Sequence, residues 1–268
     1  MKKLLEGKKG IVTGVVNHRS IAWEIARFMA EEGAEIGLTY RRERKWVEKL
    51  GGTIGATFIE PCDVQDDNQI KHVCDKFAEQ YGAIDFIVHA AAYADGEELQ
   101  AGVINTTRAG FLQTMDVTAY SVIPFCHHAR PYFRPGASVL ALSYLGSERV
   151  CAGYNVLGIA KSALETTCKY LAADLGPEQV RVNVISAGPI RTLAAFGLPN
   201  FKEMVEKRAN QSPLRRNVTQ EDVAKAALYL MSDLSSGTTG EVMYVDAGYN
   251  IMGTWADSET ASPVMVNG

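Results

Sequence analysis

The sequence predicts an α/β fold of the doubly wound, Rossmann type: one parallel seven-stranded sheet with helices on both faces. Three observations predict it. Short runs rich in Val and Ile alternate with helical patterns from end to end. The strand-like runs are apolar at nearly every position, which means burial on both faces and hence a parallel sheet. No Pro/Ser-rich linker and no internal repeat interrupts the 268 residues, a length that one large domain accommodates. The expected domain is therefore 1–255, and the small, polar residues 256–268 read as a loose tail.

The elements follow in order. Gly10-Ile11-Val12-Thr13 reads as the first strand. Ser20 to Glu32 is a helix with Ile21, Ile25, Phe28 and Met29 on one face and Gly33 just past its end. Glu35 to Thr39 is the second strand, Thr57 to Ile59 the third, and Ile84 to His89 the fourth. Between the last two, Ile70, Val73, Cys74 and Phe77 mark one face of a helix. A long helix is expected from Phe111 to Pro131, kinked near Pro124. Ala137 to Ser143 is the fifth strand, Ala152 to Leu175 a long helix, and Val180 to Ile185 the sixth strand. Gln220 to Met231 is a further helix and Glu241 to Val245 the seventh strand. Two segments break the rhythm, Asp95 to Arg108 and Pro189 to Pro213. Both begin at the carboxyl ends of strands, where open α/β sheets bind ligands.

Composition narrows the function classes. Apolar residues make up 47 % and charged residues 22 %, ordinary for a globular protein. A net charge of −4 argues against nucleic acid as a partner. The start, Met1 to Lys8, lacks an apolar run of signal-peptide length, and no stretch approaches the roughly 20 apolar residues of a membrane span. A cytoplasmic protein is expected. Cys62, Cys74, Cys126, Cys151 and Cys168 form no CxxC pair, so reduced core thiols are expected and no metal site.

The first candidate site is the loop Thr13-Gly14-Val15-Val16-Asn17-His18-Arg19-Ser20-Ile21-Ala22, which joins strand one to helix one. A dinucleotide pyrophosphate lies at such a helix N-terminus. The loop is not G-x-G-x-x-G, since only Gly14 fits. Ser20 serves as an N-cap or a phosphate contact. After strand two comes Tyr40-Arg41-Arg42-Glu43-Arg44. Without an acid at the strand end, these arginines suit a 2′-phosphate, or equally a solvated helical turn. Asp63 is placed to accept from an adenine amino group or to cap a helix.

The second is Leu142-Ser143-Tyr144-Leu145-Gly146 followed by Tyr154-Asn155-Val156-Leu157-Gly158-Ile159-Ala160-Lys161. On one helix, seven residues bring Tyr154 and Lys161 within about 20° of one face and roughly 10 Å apart. A lysine charge favours the phenolate and makes the tyrosine a better proton donor. A solvated Lys with a half-buried Tyr is the plain alternative.

These residues resemble the short-chain dehydrogenases, with a difference. Ordinary members carry Tyr-x-x-x-Lys and a Ser about 13 residues before the Tyr. Here Leu157 stands four before Lys161, and Tyr144 stands thirteen before Leu157. The shifted Tyr154-x6-Lys161 pair resembles the divergent enoyl-acyl-carrier-protein reductases of bacteria. Gly14-x5-Ser20-Ile21-Ala22, Cys62-Asp63-Val64, Ser186 through Ala195, and Gly240 through Asp246 are similar to that family too. The resemblance covers about residues 4 to 253. One stretch departs: His89-Ala90-Ala91-Ala92-Tyr93-Ala94 stands where the family reads His-Ser-Ile-Gly/Ala-Phe/Tyr-Ala.

The resemblance implies reduction of the trans-2 double bond of enoyl-acyl-carrier-protein thioesters in fatty acid biosynthesis, with NADH or NADPH. It implies Tyr144, Tyr154 and Lys161 as catalytic residues. Gly14, Ser20, Ile21, Arg41, Asp63, Val64, Ala91, Lys161, Ile190, Thr192, Leu193 and Ala194 are the expected cofactor contacts, and Ala94 and Tyr154 the substrate contacts. Pro189 to Pro213, too long for an ordinary connection of roughly 2–6 residues, is expected to form a lid over an acyl pocket. Phe196, Phe201 and Met204 are candidate lining. A homotetramer is implied by the family. Two other readings stand beside this one: an ordinary 3-oxoacyl or carbonyl reductase, and a cofactor-sensing binding protein without turnover.

Overall fold

A computed structural model describes residues 3–42, 44–190 and 201–253. Seven parallel strands lie in the order β3-β2-β1-β4-β5-β6-β7. They are β1 (Lys9–Val12), β2 (Glu35–Tyr40), β3 (Phe58–Pro61), β4 (Ile84–His89), β5 (Phe133–Ser143), β6 (Arg181–Ala187) and β7 (Val242–Val245). The order reverses between β1 and β4, so the doubly wound expectation holds and the crevice lies there. Thr13 closes the crevice floor. Its amide donates to Val88 O, and its hydroxyl accepts from Ala90 N.

Strand parity divides the core in two. Val12, Phe86, Val88, Leu140 and Ile185 pack on one face with α1 (Ile21–Glu31) and α9 (Gln220–Met231). Ile11, Ile87, Val139, Val182 and Val184 pack on the other with α3 (Asp67–Tyr81), α6 (Val122–Ala129) and α7 (Asn155–Leu175). Helix ends are set locally. Asp66 accepts from Asn68 N at the start of α3, and Gly82, left-handed at φ 81°, ends it. Thr219 and Asp222 form a capping box on α9. The buried Arg181 guanidinium donates to Leu230 O and Ser232 O at the other end of α9, a favourable charge for a helix C-terminus.

Two expectations need correction, and two further segments carry helices that the sequence did not announce. The helix expected over 111–131 is α5 (Arg108–Met115), a π-helical turn at Asp116–Tyr120, then α6. The break is the π turn, not Pro124, which lies in the first turn of α6 where its missing N–H is tolerated. The wide turn brings Thr118 Oγ1 to accept from Tyr93 N and places Ser121 against His89. Second, α7 begins at Asn155, not Ala152, so Tyr154 is its N-cap rather than a helical residue. The polar insertion 95–108 holds α4 (Gly96–Gln100) and a 3-10 turn. The long segment after β6 carries α8 (Phe201–Gln211). One helix, α2 (Arg44–Thr53), was not expected at all. The tail 256–268 lies outside the described residues. Among those described, no helix is long and apolar enough to cross a membrane. All five cysteines are free, four of them buried.

Candidate active site

Of the expected cofactor residues, those described lie after the carboxyl ends of β1, β2, β3, β4 and β6 or, for Lys161, on α7. Gly14 leaves β1 with φ +79°, and a Cβ there would stand 2.4 Å from Ala90 O. Only glycine allows the β1 and β4 exits to approach this closely. Ser20 occupies the N-cap position of α1, but its side chain makes no bond into the helix. Its Oγ instead accepts from Val16 N and Asn17 N, both at 3.1 Å, and so curls the loop. The N-cap reading of Ser20 is therefore corrected. The first turn of α1 has no side-chain cap, which fits an anion-binding helix start. Ile21 packs on the core beneath it.

Farther along the edge, Arg41 Nε donates to Asp63 Oδ2 at 2.9 Å. The ends of β2 and β3 are thus joined, and the sequence had offered these two residues separate roles. Val64 packs on the core beside Asp63. Ala91 and Ala94 line the exit of β4, half-buried. Ile190 is buried after β6. Thr192, Leu193, Ala194 and Phe196 lie outside the described residues.

The chemical end is built by β5 and α7. Tyr144 leaves β5, and Tyr154 sits at the start of α7, their ring centroids 4.7 Å apart and edge-to-face. Two close approaches set this. A Cβ on Gly146 would meet the Tyr154 ring at 2.4 Å, and one on Gly158 would meet Gly146 O at 2.6 Å. Asn155 holds φ 41° and donates from Nδ2 to Leu99 O, tying α7 to α4. Burial pushes both tyrosine hydroxyls well above the usual phenol range. Lys161 is also buried, and its Nζ donates to Leu142 O at 2.6 Å. Desolvation lowers its pKa to about 8, against the opposing pull of Glu165. Leu157, where an ordinary member carries its tyrosine, is a buried apolar side chain.

Three residues here were not picked out from the sequence. Glu165 is buried one turn beyond Lys161 and accepts from Ser143 Oγ. Its spacing of four from Lys161 was the available signal. His89 is fully buried, and desolvation lowers its pKa to about 3. Ser121 Oγ donates to Val117 O, so His89 Nε2–H donates to Ser121 and Nδ1 is left without a partner. Arg208, on α8, lies over the ring of Tyr144 at 5.4 Å and that of Tyr249 at 4.1 Å, and donates to Cys151 Sγ. Nothing local in the sequence announces that contact.

A tight glycine turn, an uncapped helix start and a buried lysine two turns along α7 from Tyr154 fit a nicotinamide dinucleotide lying across the carboxyl edge. The family model for enoyl-(acyl carrier protein) reductase matches residues 14–250. An NADH enoyl-acyl-carrier-protein reductase of Rickettsia felis is 44 % identical over 253 residues, covering 94 % of this chain and 97 % of its own. One from Rhizobium meliloti is 47 % identical over 252 residues, covering 93 % of each. Among solved structures, the reductase of Anaplasma phagocytophilum in complex with NAD superposes with a TM-score of 0.92 at 44 % identity, covering 96 % of this chain and 99 % of that one. The Bacillus cereus reductase with NADP+ and an indole naphthyridinone gives 0.92 at 41 %, covering 94 % and 100 %. With its tyrosine at position 154 rather than 157, and with such relatives over nearly its whole length, the chain belongs to the enoyl-acyl-carrier-protein reductase family.

Proposed function

We infer that the protein reduces the trans-2 double bond of enoyl chains carried on acyl-carrier protein, in fatty acid biosynthesis, with NADH or NADPH as reductant. The observation that carries this reading is the place of the proton donor. Tyr154 stands at the N-cap of α7, nearly one helical turn before the position that Leu157 fills. In ketone reduction, hydride and negative charge meet at one carbonyl. In enoyl reduction, charge gathers on the thioester oxygen, two carbons from the β-carbon that takes the hydride. A displacement of about 4–5 Å along the helix suits the more distant oxygen.

Gly14, Ser20 and Ile21 are the proposed pyrophosphate contacts, Asp63 and Val64 those of the adenine, and Lys161 that of the nicotinamide ribose. Arg41 acts on the adenine side through Asp63. Ala91, Ile190, Thr192, Leu193 and Ala194 border the nicotinamide. The bound dinucleotide supplies the hydride. Tyr154 donates a hydrogen bond to the thioester oxygen and then the proton, while the Lys161 charge stabilises the phenolate left behind. Tyr144 packs against the Tyr154 ring and limits its rotation. Ala94 leaves room for the acyl chain. Residues 189–213, which include α8, act as the lid. The cytoplasm is the proposed location and a homotetramer the proposed assembly.

The test is turnover of a crotonyl thioester against an acetoacetyl thioester. We expect activity on the first and little on the second. Tyr154→Phe is expected to lower kcat by roughly 10²–10⁴-fold while cofactor binding is kept. Preferential turnover of the acetoacetyl thioester, or full activity in Tyr154→Phe, overturns the reading.

A further inference from the structure

A buried ammonium needs an opposite charge or several hydrogen bonds to stay ionised. Lys161 is 5 % exposed, and its Nζ donates to Leu142 O. The titratable groups around it are Tyr154, Glu165 and Cys168 of α7, His89 of β4 and Tyr244 of β7. All but Glu165 are neutral near pH 7. Burial raises both tyrosines, raises the Cys168 thiol to about 12 and lowers His89 to about 3. The remaining charges face elsewhere: Glu148 and Asp246 act on Tyr244, and Arg208 acts on Tyr144. One opposite charge is left for Lys161, the carboxylate of Glu165.

Its placement is specific. Glu165 stands four residues after Lys161, on the same face of α7, and is 6 % exposed. It accepts from Ser143 Oγ. Leu142 and Ser143 are consecutive, so the two side chains are moored at neighbouring points on the end of β5. Among the described residues, Glu165 makes no contact ion pair with Lys161 or with any other cation. A serine hydroxyl needs only an acceptor, which a glutamine supplies as well. A buried carboxylate costs far more than a buried amide, so the tie to Ser143 does not account for the charge. We propose that Glu165 is the counter-ion of Lys161, a positioning residue that keeps the ammonium charged without touching it. The idea rests on the reductase reading of the site.

The order on the helix fits this role. Glutamate four residues after lysine is the weaker arrangement for a contact pair. A contact pair would also occupy Nζ donors that the site needs. Moored on Ser143, the carboxylate lends its field and leaves Nζ to Leu142 O and to the ribose contact proposed above. Desolvation lowers the lysine to about 8, and the Glu165 charge opposes that fall. Removing the charge therefore lowers the lysine further and shortens the pH range over which it is an ammonium.

Glu165→Gln keeps an acceptor for Ser143 and removes the charge. Two titrations read the result. In the free protein, the NMR signal of Lys161 Cε, assigned by its loss in Lys161→Arg, reports the lysine directly and needs no turnover. In the assay, the alkaline limb of kcat/KM for the cofactor reports the same group. Both midpoints are expected to fall together by about one unit, the low end for loss of an opposite charge nearby. The variant is then about tenfold below wild type on the alkaline side and close to it at about pH 6, where both lysines are charged. Ser143→Ala cuts the tie and keeps the charge, so its midpoints are expected at the wild-type values. Should Glu165→Gln fail to fold, Glu165→Met removes the charge with an apolar chain of similar length, a change that buried ion pairs often tolerate, and the same shift is expected. A Lys161 midpoint that stays at the wild-type value without the carboxylate overturns the counter-ion. Equal shifts in Ser143→Ala and Glu165→Gln overturn it as well and leave a purely structural tie. Wild-type protein whose Lys161 titrates as expected but which fails to reduce an enoyl thioester sinks the reductase reading instead, so the two failures are distinguishable.

Discussion

Lys161 must be charged to do its work and is buried where charge is disfavoured. Its folded pKa of about 8 lies below the ordinary 10.5 because desolvation outweighs Glu165. The unfolded chain therefore binds this proton more tightly, and the deficit lowers stability whenever the lysine is charged. The stabilising term is fully present above about pH 10.5 and is lost as pH falls through 8, about 3 kcal/mol at roughly 1.4 kcal/mol per unit. Activity runs the other way. We expect kcat/KM for the free enzyme to fall above about pH 8, as Lys161 loses its charge. Lys161→Met should be more stable than wild type at pH 7 and nearly inactive, whereas Lys161→Arg should lack the alkaline limb in whatever activity remains. A pH–rate profile that stays flat to pH 10 in wild-type protein would contradict this assignment. The types and positions of Tyr144, Tyr154 and Lys161 were readable in the sequence as a shifted motif. Their electrostatics were not, because Glu165 and Ser143 matter through burial, which sequence spacing does not report.

At the scale of elements, the strands were the most legible feature. A parallel strand buried on both faces is a continuous apolar run, and β4 and α9 match their expected limits. Legibility failed where tertiary contact overrode periodicity. The π turn at Asp116–Tyr120 reads as plain helix, because the Thr118–Tyr93 and Ser121–His89 contacts that accompany it come from distant β4 and its exit. The start of α7 reads as helix from Ala152, yet Asn155 at φ 41° interrupts the path there. What positions Tyr154 is the seat of α7 on the turn after β5, through Gly146 and Gly158. Gly158→Ala puts a methyl against Gly146 O, a backbone atom that gives little. The rest of α7 remains packed on β6, so the fold should survive with some loss of stability. The tyrosine should shift, and a displacement near 1 Å can cost about 10²-fold in rate. We expect kcat to fall by that order with the cofactor Kd changed far less. Equal losses in both would mean that the glycine pair shapes the whole pocket rather than the tyrosine.

At the scale of the whole molecule, α8 is tied to the chemical end of the sheet edge. The sequence marked residues 189–213 by excess length and by resemblance, with Ile190, Thr192, Leu193 and Ala194 as expected cofactor contacts, but did not single out Arg208. Arg208 supplies a point of engagement. Its guanidinium, buried to 7 % exposure, lies between Tyr144 after β5 and Tyr249 after β7, and reaches Cys151 in the loop before α7. One side chain of α8 thus touches three segments around the chemical end. A buried guanidinium over aromatic faces is worth about 2 kcal/mol or more when desolvated. In the proposed lid, a contact of this size favours the closed position without locking it there. Local opening of α8 should therefore be far easier than global unfolding. In hydrogen exchange, amides of 201–212 are expected to exchange faster than those of α9 in the free protein, and to gain protection with cofactor and an acyl analogue together. Arg208→Leu should speed exchange in 201–212 selectively and raise KM for the enoyl thioester, with β4, β5 and α7 unchanged. If exchange in this segment matches that of α9 and ignores both ligand and substitution, then α8 is part of the rigid body, and the acyl chain must enter by another face.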